Sequence, residues 1–272
     1  MQRLLNIRPS GGGRLILGLV PILLFALFYL VASEARHAAN PHDKLLPTAS
    51  AMVVAVKMMA TVDPLTGQAP LVVDTVASLK RISIALAIAT VISLVLGLVI
   101  GLLPLMRAGM GPLVATIAVI PPIAILPILF IVFGLGEVSK IALIVLGISP
   151  VMVRDLAGHI GSIPDEQLIK AQTLGASTWQ TALRVALPQA MPRLFVAVSL
   201  ALGPAWVFLI SAEAIAADVG LGYRIFLVRR YLSMDIIIPY VIWISVLAVM
   251  MDLALTVISR RAFAWAHPKA GH

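Results

Sequence analysis

The chain contains no cysteine among its 272 residues. This absence excludes disulfides, thiol catalysis and metal sites with cysteine ligands, and it leaves the redox compartment undetermined. The histidines are scattered without the spacing of metal ligands, so no metal site is predicted. The five histidines are His37, His42, His159, His267 and His272.

Charged residues are scarce as well. Only 12% of the residues are charged and 61% are hydrophobic, with a mean hydropathy of +1.06, whereas a soluble domain has about 25% charged and about 45–50% apolar residues. The composition therefore predicts an integral membrane protein with little mass outside the bilayer. The net charge of +8 is typical of contact with anionic membrane lipid and of topology signals. No basic patch interleaved with aromatic residues occurs, so we expect no nucleic acid partner.

Several enzyme motifs are missing too. There is no G-x4-G-K-[ST] phosphate-binding loop, so we expect that this chain does not hydrolyse ATP by itself. The stretch from Gly134 to Lys140 superficially resembles such a loop, but it lacks Gly-Lys-Ser/Thr and an apolar span follows it directly. No Ser-His-Asp constellation and no H-E-x-x-H motif are present. We therefore predict no catalytic residue, and a membrane-embedded enzyme is the least favoured function.

Long apolar runs are abundant, and each has about 20 residues, enough to cross about 30 Å of hydrocarbon. We expect an all-α membrane protein with six transmembrane helices, over residues 15–32, 82–106, 112–133, 138–153, 194–212 and 236–259. Residues 1–14 form a basic N-terminus, 33–78 an external segment, 79–259 a five-helix core and 260–272 the C-terminus. Within the external segment, residues 50–61 are weakly amphipathic, as in a helix that lies along the membrane surface.

The first apolar run has two interpretations. Ala32-Ser33 offers a small-residue cleavage site, so the run is either a signal peptide or a retained helix. It is long for a signal peptide, and we favour the retained helix. Basic residues near both ends of the chain, such as Arg3, Arg8 and Arg260, favour cytoplasmic termini.

Small residues and prolines interrupt the spans. Gly97 and Gly101 form a face for close helix contact, which serves packing inside one subunit or dimerisation equally well. Pro121, Pro122 and Pro127 break the third span, which indicates either a kink or a lining of the translocation path. As translocation-path candidates we take Pro122, Pro127, Ser149, Trp206, Ser211 and Glu213.

Two carboxylates lie in or near the spans. Asp252 lies about two turns inside the sixth span, where a carboxylate is a functional candidate by default. We favour a structural ion pair between Asp252 and a basic residue on a neighbouring helix. Glu213, at the outer end of the fifth span, suits loop anchoring and gating equally well.

The stretch from 162 to 193 is the longest amphipathic, water-compatible piece of the chain. It predicts two helices joined by a tight turn outside the bilayer: Ser162 and Ser177 each begin a capping pattern, completed by Asp165 and Gln180, and Gly175 ends the first helix. Prolines are expected to limit the second helix. Four small or apolar residues form a knob that would fit a groove on a soluble partner. The prolines are Pro188 and Pro192, and the knob residues are Ile169, Ala171, Leu174 and Ala176.

The alternative for this stretch is an ordinary amphipathic loop between two membrane helices. However, the spacing Ala171-x3-Gly175-x9-Val185-x-Leu187-Pro188 resembles the "EAA" loop of permease subunits of ATP-binding cassette (ABC) importers. In that family the loop is the cytoplasmic coupling helix that docks on the ATPase. Many members have Glu where this chain has Ile169. By this resemblance the ATPase-coupling residues are Lys170, Ala171, Gln172, Leu174, Gly175, Ala176, Leu187 and Pro188.

Further stretches are similar to permeases of the nitrate/sulfonate/taurine-type importers. They are Ser78-Leu79-x-Arg81, Pro121-Pro122-x-Ala124-x-Leu126-Pro127, Phe133-Gly134-x-Gly136-Glu137-x-Ser139-Lys140, Ser211-Ala212-Glu213-x-Ile215-Ala216-Ala217 and Gly220-Leu221-Gly222-Tyr223. The resemblance implies the transmembrane domain of a type I (MetI-like) ABC importer. One departure is Pro204, which precedes Ala205-Trp206 where relatives favour Gly immediately before the Trp.

The resemblance implies a multi-pass permease of the bacterial inner membrane, which forms the pathway for a small sulfonate, nitrate or related oxyanion. Its expected partners are ABC ATPase subunits that carry ATP and Mg, an external solute-binding protein, membrane lipid and a second permease copy in a homodimer. This subunit itself would bind no cofactor. The alternative is a self-contained secondary transporter or channel, which would need intramembrane charges for ion coupling and usually internal repeats. The chain shows one deep carboxylate and no repeat.

Overall fold

The computed structural model describes residues 11–40, 43–62, 64 and 67–266. The topology signals at Arg3 and Arg8 lie outside the described residues. In chain order, the α-helices of the described part are α1 (Gly11–Ala39), α2 (Ala49–Ala60), α3 (Pro70–Leu102), α4 (Pro104–Ile117), α5 (Pro122–Phe133), α6 (Glu137–Ile160), α7 (Asp165–Thr173), α8 (Thr178–Thr181), α9 (Leu187–Ala216), α10 (Leu221–Arg229) and α11 (Met234–Ala262).

Five stretches of the described chain are long and apolar enough to cross a membrane, and the bent pair of α4 and α5 makes a sixth if it counts as one span. The membrane-length stretches are Ile16–Ala39, Pro70–Leu102, Glu137–Ile160, Thr178–Ala216 and Met234–Ala262. The prediction of an all-α, multi-span membrane protein is confirmed.

The third predicted span is broken, as expected, because α4 and α5 meet at 93°. The break follows Ile117 and ends at Pro122. Consecutive prolines remove two N–H donors, and each disfavours the helical conformation in the residue before it, so the chain turns here. Pro127 lies inside α5 and does not break it.

The second predicted span begins earlier than its hydropathy suggested. Helix α3 starts at Pro70, so its first turns lie within the stretch that we assigned to the external segment. Asp74 and Ser78 in these turns, and Arg81 just after them, are buried polar residues. Hydropathy alone makes such residues resemble a loop.

Helices α3, α6 and α9 pack together as the centre of the fold. A Cβ on Gly97 would lie 2.9 Å from Leu156 Cδ2, and one on Gly101 would lie 2.7 Å from Ile160 Cβ. Real Cβ contacts are not this short, so the two glycines allow the backbones of α3 and α6 to approach closely. Of the two roles left open for these glycines, the structure shows packing within one subunit.

Pro188 and Pro192 do not limit the second helix of the 162–193 stretch, contrary to prediction. A π-helical turn, Ala182–Ala186, connects α8 to α9, and the apolar helix runs from Thr178 to Ala216. The N–H of Leu187 donates to the carbonyl of Ala182, and Pro188 follows in the first turn of α9. The π-helical turn replaces the i→i−4 bonding pattern that a proline disrupts, so the helix continues past Pro188.

Helices α1 and α2 lie at the margin of the fold. The apolar window of α1 is only 6% buried, and α1 is tied to the following loop by Tyr29 and Ser33, whose hydroxyls donate to the carbonyl of Pro47 at 2.9 Å and 3.0 Å. Helix α2 coincides with the predicted amphipathic stretch, and the side chain of Thr48 caps its N-terminus. Its placement along the membrane surface stays a prediction.

Candidate functional site

Residues 162–181, hereafter the coupling segment, fold around Gly175. Helix α7 ends at Thr173, and Gly175 adopts a φ of +82°, in the left-handed region that favours glycine. The turn is closed by the N–H of Ala176, which donates to the carbonyl of Ala171 at 3.0 Å. The predicted glycine turn is confirmed.

The two predicted helix caps have different outcomes. Ser177 and Gln180 form the expected capping box, in which the Ser177 N–H donates to Gln180 Oε1 at 2.9 Å and the Gln180 N–H donates to Ser177 Oγ at 3.2 Å. The Ser162 cap is wrong, because the Ser162 hydroxyl donates to the carbonyl of His159. Pro164 instead occupies the position before α7.

Large apolar side chains of the coupling segment are exposed. Leu174 is 81% exposed and Ile169 is 57% exposed, whereas Ala171 and Ala176 are half-buried. Trp179, which the sequence analysis did not assign to coupling, is 71% exposed. Its position two residues after the helix-capping Ser177 is the sequence feature that could have identified it. Of the other residues assigned to coupling, Lys170, Gln172, Gly175 and Pro188 are exposed and Leu187 is half-buried.

The coupling segment is attached to the membrane helices at several points. Gln189 of α9 donates to Gln167 of α7 at 3.0 Å, and Leu168 packs against the main core. Four residues after Gln189 on α9, Arg193 forms an ion pair with Asp155 of α6. The segment is therefore held against α9 through Gln189 and against the main core through Leu168, while Ile169 and Leu174 stay exposed.

A group of buried polar side chains lies at the opposite end of α3 and α9. Glu213 is fully buried and accepts hydrogen bonds from Ser78 Oγ at 2.8 Å, Arg81 Nη1 at 2.7 Å and the N–H of Gly222 at 2.8 Å. A buried carboxylate is tolerated when it is paired and hydrogen-bonded in this way. These contacts are those of a loop anchor, and the gating role stays a prediction.

Arg81 extends this group towards the surface. Its guanidinium also donates to Glu137 at 2.6 Å and to the carbonyl of Val219 at 2.7 Å. Lys140 donates to the same Glu137 at 3.1 Å. The ion pairs join α3, α6, α9 and the loop before α10.

Asp74 provides a parallel link. It is fully buried and accepts from Arg224 Nε at 2.8 Å, from Tyr240 Oη at 3.2 Å and from the N–H of Gly220 at 2.9 Å. Burial lowers the pKa of Arg224 and the Asp74 carboxylate raises it; the net direction is upward, so the guanidinium stays charged. We refer to the whole set as the buried polar cluster, comprising Asp74, Ser78, Arg81, Glu137, Lys140, Glu213, Arg224 and Tyr240; Glu137 is its exposed member, with a side chain that is 57% exposed.

Two glycines allow the loop before α10 to lie against this cluster. Gly220 has a φ of +137°, and a Cβ there would lie 2.5 Å from Glu213 Cδ. A Cβ on Gly222 would lie 2.8 Å from the carbonyl oxygen of Ile210. The glycines of the family-like stretch 220–223 are therefore explained by the close approach of backbone to a buried carboxylate.

The other candidates for the translocation path are dispersed. Trp206 and Ser149 are buried, Ser211 and Pro122 are half-buried, and Pro127 is exposed. The indole N–H of Trp206 has no hydrogen-bond partner among the described residues, and the Ser211 hydroxyl donates to Val207 of its own helix. Within the described part of the chain no hydrogen bond joins two of the six candidates, so their assignment to a path stays a prediction.

The predicted ion pair of Asp252 is wrong. The hydroxyl of Ser199 on α9 donates to the half-buried Asp252 carboxylate on α11. Among the ion pairs of the described residues, none includes Asp252. A hydroxyl on the facing helix satisfies the carboxylate without a second intramembrane charge.

Comparison with solved structures agrees with the helical architecture. An inward-facing structure of the MetNI methionine ABC transporter matches with a TM-score of 0.62 and 20% sequence identity, over 69% of this chain and 94% of the matched chain. At this level of identity the likeness shows a shared fold.

Sequence relatives are more specific. The taurine transport system permease protein TauC of Escherichia coli is 37% identical over 190 residues, which cover 70% of this chain and 69% of TauC. The nitrate import permease protein NrtB of Synechococcus elongatus is 32% identical over 118 residues, which cover 43% of this chain and 42% of NrtB.

The family match covers most of the helical core. Residues 89–264 match the family described as binding-protein-dependent transport system inner membrane component. The matched range includes the coupling segment and Glu213 and begins within α3, so α1 and α2 lie outside it. The chain belongs to the binding-protein-dependent transport system inner membrane components, the permease subunits of ABC importers.

Proposed function

We propose that this permease moves a small sulfonate anion across the bacterial inner membrane, after an external binding protein has delivered it. The observation that carries the proposal is the 37% identity to TauC over 70% of the chain. The shorter match to NrtB, over 43% of the chain, makes nitrate the second solute to test. Taurine and nitrate are both small solutes with a charged group of oxygens around a central atom.

The coupling segment is the proposed docking site of the ATPase. Its exposed Leu174 and Ile169 supply the apolar contact, and Gly175 and the capping box fix the turn between them and Trp179. Large apolar side chains at the centre of an interface carry much of the binding energy. The ATPase, not this chain, would bind ATP and Mg.

A second copy of this chain is the proposed partner inside the membrane. Only 44% of the apolar window of each central span, α6 and the helix that contains α9, is buried. Exposed apolar side chains include Leu146 and Val151 on α6 and Leu200 and Val207 on α9. Two copies facing each other through these helices would enclose a pathway, and each copy would contribute one coupling segment.

One helix runs from the proposed docking site to the opposite end of the molecule. The apolar helix from Thr178 to Ala216 has 39 residues and spans about 58 Å at 1.5 Å per residue. It begins in the coupling segment and carries Glu213 near its end. When the ATPase dimer closes, displacement of the coupling segment would move this helix, and only a solute that binds the inward- and outward-facing states differently is driven across.

Reconstitution tests this proposal. We would insert the permease with its ATPase into liposomes, add the binding protein, and measure ATP-dependent accumulation of radiolabelled taurine, with nitrate and methionine in parallel. We expect taurine to accumulate and other short sulfonates to compete with it. Accumulation of nitrate but not taurine would contradict the solute class, and accumulation without ATP would contradict the importer mechanism.

A further inference from the structure

A cavity of about 260 Å³ lies among α3, α4 and α6, beside the start of the coupling segment. Its walls include the apolar side chains Ile100, Val114 and Val153 and two arginines, Arg107 and Arg154. No residue discussed in the sections on coupling or solute lines it. Its chemistry, two cations against an apolar wall, differs from that of the rest of the membrane region.

Arg107 is already engaged by the protein. Its side chain donates to the carbonyls of Ile100 and Gly101 at the end of α3. It also lies against the end of α6, since a Cβ on Gly161 would lie 2.5 Å from Arg107 Nη2. Helix C-termini carry partial negative charge, so Arg107 neutralises helix ends.

Arg154 is different because it has no such partner. Within the described part of the chain, none of the ion pairs includes Arg154, and its neighbour Asp155 pairs with Arg193 instead. Arg154 is six residues from the end of α6 at Ile160, about 9 Å inside it. A cation inside a membrane span usually pairs with an anion or faces a polar cavity. Arg154 is exposed and lines an open cavity that has no carboxylate in its wall.

We propose that this cavity binds the headgroup of an anionic phospholipid from the leaflet next to the coupling segment. The Arg154 guanidinium suits the phosphate, because its planar set of donors matches phosphate oxygens. The apolar walls suit the first part of the acyl chains. Basic pockets between membrane helices on the cytoplasmic side are known to hold such headgroups.

The test uses the full-length chain purified in a neutral detergent. Native mass spectrometry would measure bound phosphatidylglycerol and phosphatidylcholine with identical acyl chains, and inorganic phosphate would be added as a competitor. We expect phosphatidylglycerol to bind more tightly than phosphatidylcholine. Arg154→Gln should weaken phosphatidylglycerol binding about fivefold, and Arg154→Lys should weaken it less.

Two further variants separate charge from shape. Lys80→Gln removes an exposed cation at the other end of α3 and should leave lipid binding unchanged. Gly158→Leu fills the cavity and keeps Arg154; a Cβ on Gly158 meets no atom within 4 Å, so this variant should fold and should also weaken phosphatidylglycerol binding. If Arg154→Gln does not fold, Gly158→Leu still tests whether the lipid occupies this cavity.

Three results would overturn the proposal. The first is equal binding of phosphatidylglycerol to the wild type and Gly158→Leu, or to the wild type and a folded Arg154→Gln. The second is equal affinity for the two lipids. The third is competition by inorganic phosphate at millimolar concentration, which would identify a site for a free anion.

Discussion

At one end of the molecule Arg81 and Glu213 are charged, buried and paired with each other, whereas at the other end Ile169 and Leu174 are apolar and exposed. Each end departs from the usual placement of its residue type. The two ends differ in whether the groups that stabilise this unusual placement belong to the chain itself. The buried polar cluster is satisfied within the chain, so it is expected to matter for folding. The exposed Ile169 and Leu174 of the coupling segment are not covered by any other part of the described chain. We therefore expect this segment to matter for assembly with a partner protein.

The largest expected effect on folding follows from removal of a cluster charge. Arg81→Ala leaves the Glu213 carboxylate buried without its cation, and the loss of one partner of a buried pair typically costs about 3–5 kcal/mol. We expect a sharp fall in membrane-inserted, monodisperse protein and in the melting temperature in detergent. Lys80→Ala, at the neighbouring exposed position, is the control. If Arg81→Ala has the same melting temperature as Lys80→Ala, the cluster does not hold the fold together.

A smaller effect should follow when the loop, and not the charge, is disturbed. Gly220→Ala introduces a Cβ at 2.5 Å from Glu213 Cδ and at a φ of +137°, and strain of this kind costs about 1–3 kcal/mol. Limited proteolysis of the loop between α9 and α10 and thermal melting would measure the change. Gly203→Ala, where a Cβ meets no atom within 4 Å, is the matched control. Equal proteolysis of the two variants would contradict the close approach.

In the coupling segment the effect on folding should be smaller still and the effect on function large. Gly175→Val places a side chain at a φ of +82° but meets no neighbouring atom, so we expect a loss of stability on the order of 1 kcal/mol, somewhat more for a β-branched residue. The protein should remain in the membrane, lose co-purification with its ATPase and lose uptake.

A surface variant with intact backbone sharpens this test. Leu174→Asp changes no conformation and should weaken ATPase binding at least about tenfold, whereas Ser162→Ala, whose hydroxyl caps no helix of the segment, should do little. Normal uptake by both Gly175→Val and Leu174→Asp would show that the segment is only a loop.

The smallest effect is expected at Asp252. Asparagine can still accept the hydrogen bond from Ser199, so Asp252→Asn should change stability by no more than about 1 kcal/mol. Uptake should persist and should be equally insensitive to a proton uncoupler in the wild type and in the variant. A well-folded variant that has lost a proton-gradient dependence present in the wild type would revive the secondary-transporter alternative.

Local chemistry could be predicted from the sequence, and long-range contacts could not. The Gly175 turn and the capping box depend on residues within five positions of each other, and both were identified, although the equally local Ser162 cap was predicted wrongly. Ser78, Arg81 and Glu213 were noticed as separate family-like stretches, but the contact between Arg81 and Glu213 joins residues 132 positions apart. Asp74 was missed because its burial depends on Arg224, 150 positions later.

The prolines show the same limit. Pro121 and Pro122 break a helix and Pro188 does not, although all three lack the N–H. The outcome depends on whether the preceding turn can rearrange, and the π-helical turn at Ala182–Ala186 does so before Pro188. Such a turn is stabilised by packing with other helices, as the complete burial of Ala186 shows. A single sequence does not contain that information in readable form.

The unbroken helix from Thr178 to Ala216 imposes an angular constraint on this protein and its homologues. Each residue inserted into an α-helix rotates everything beyond it by about 100° and advances it by about 1.5 Å. One extra residue between Ser177 and Glu213 would leave every side chain chemically intact, yet it would turn either the carboxylate away from Arg81 or the capping box away from the ATPase. We therefore expect aligned relatives to keep the residue count between the capping box and this carboxylate fixed, even at positions where they differ in residue type.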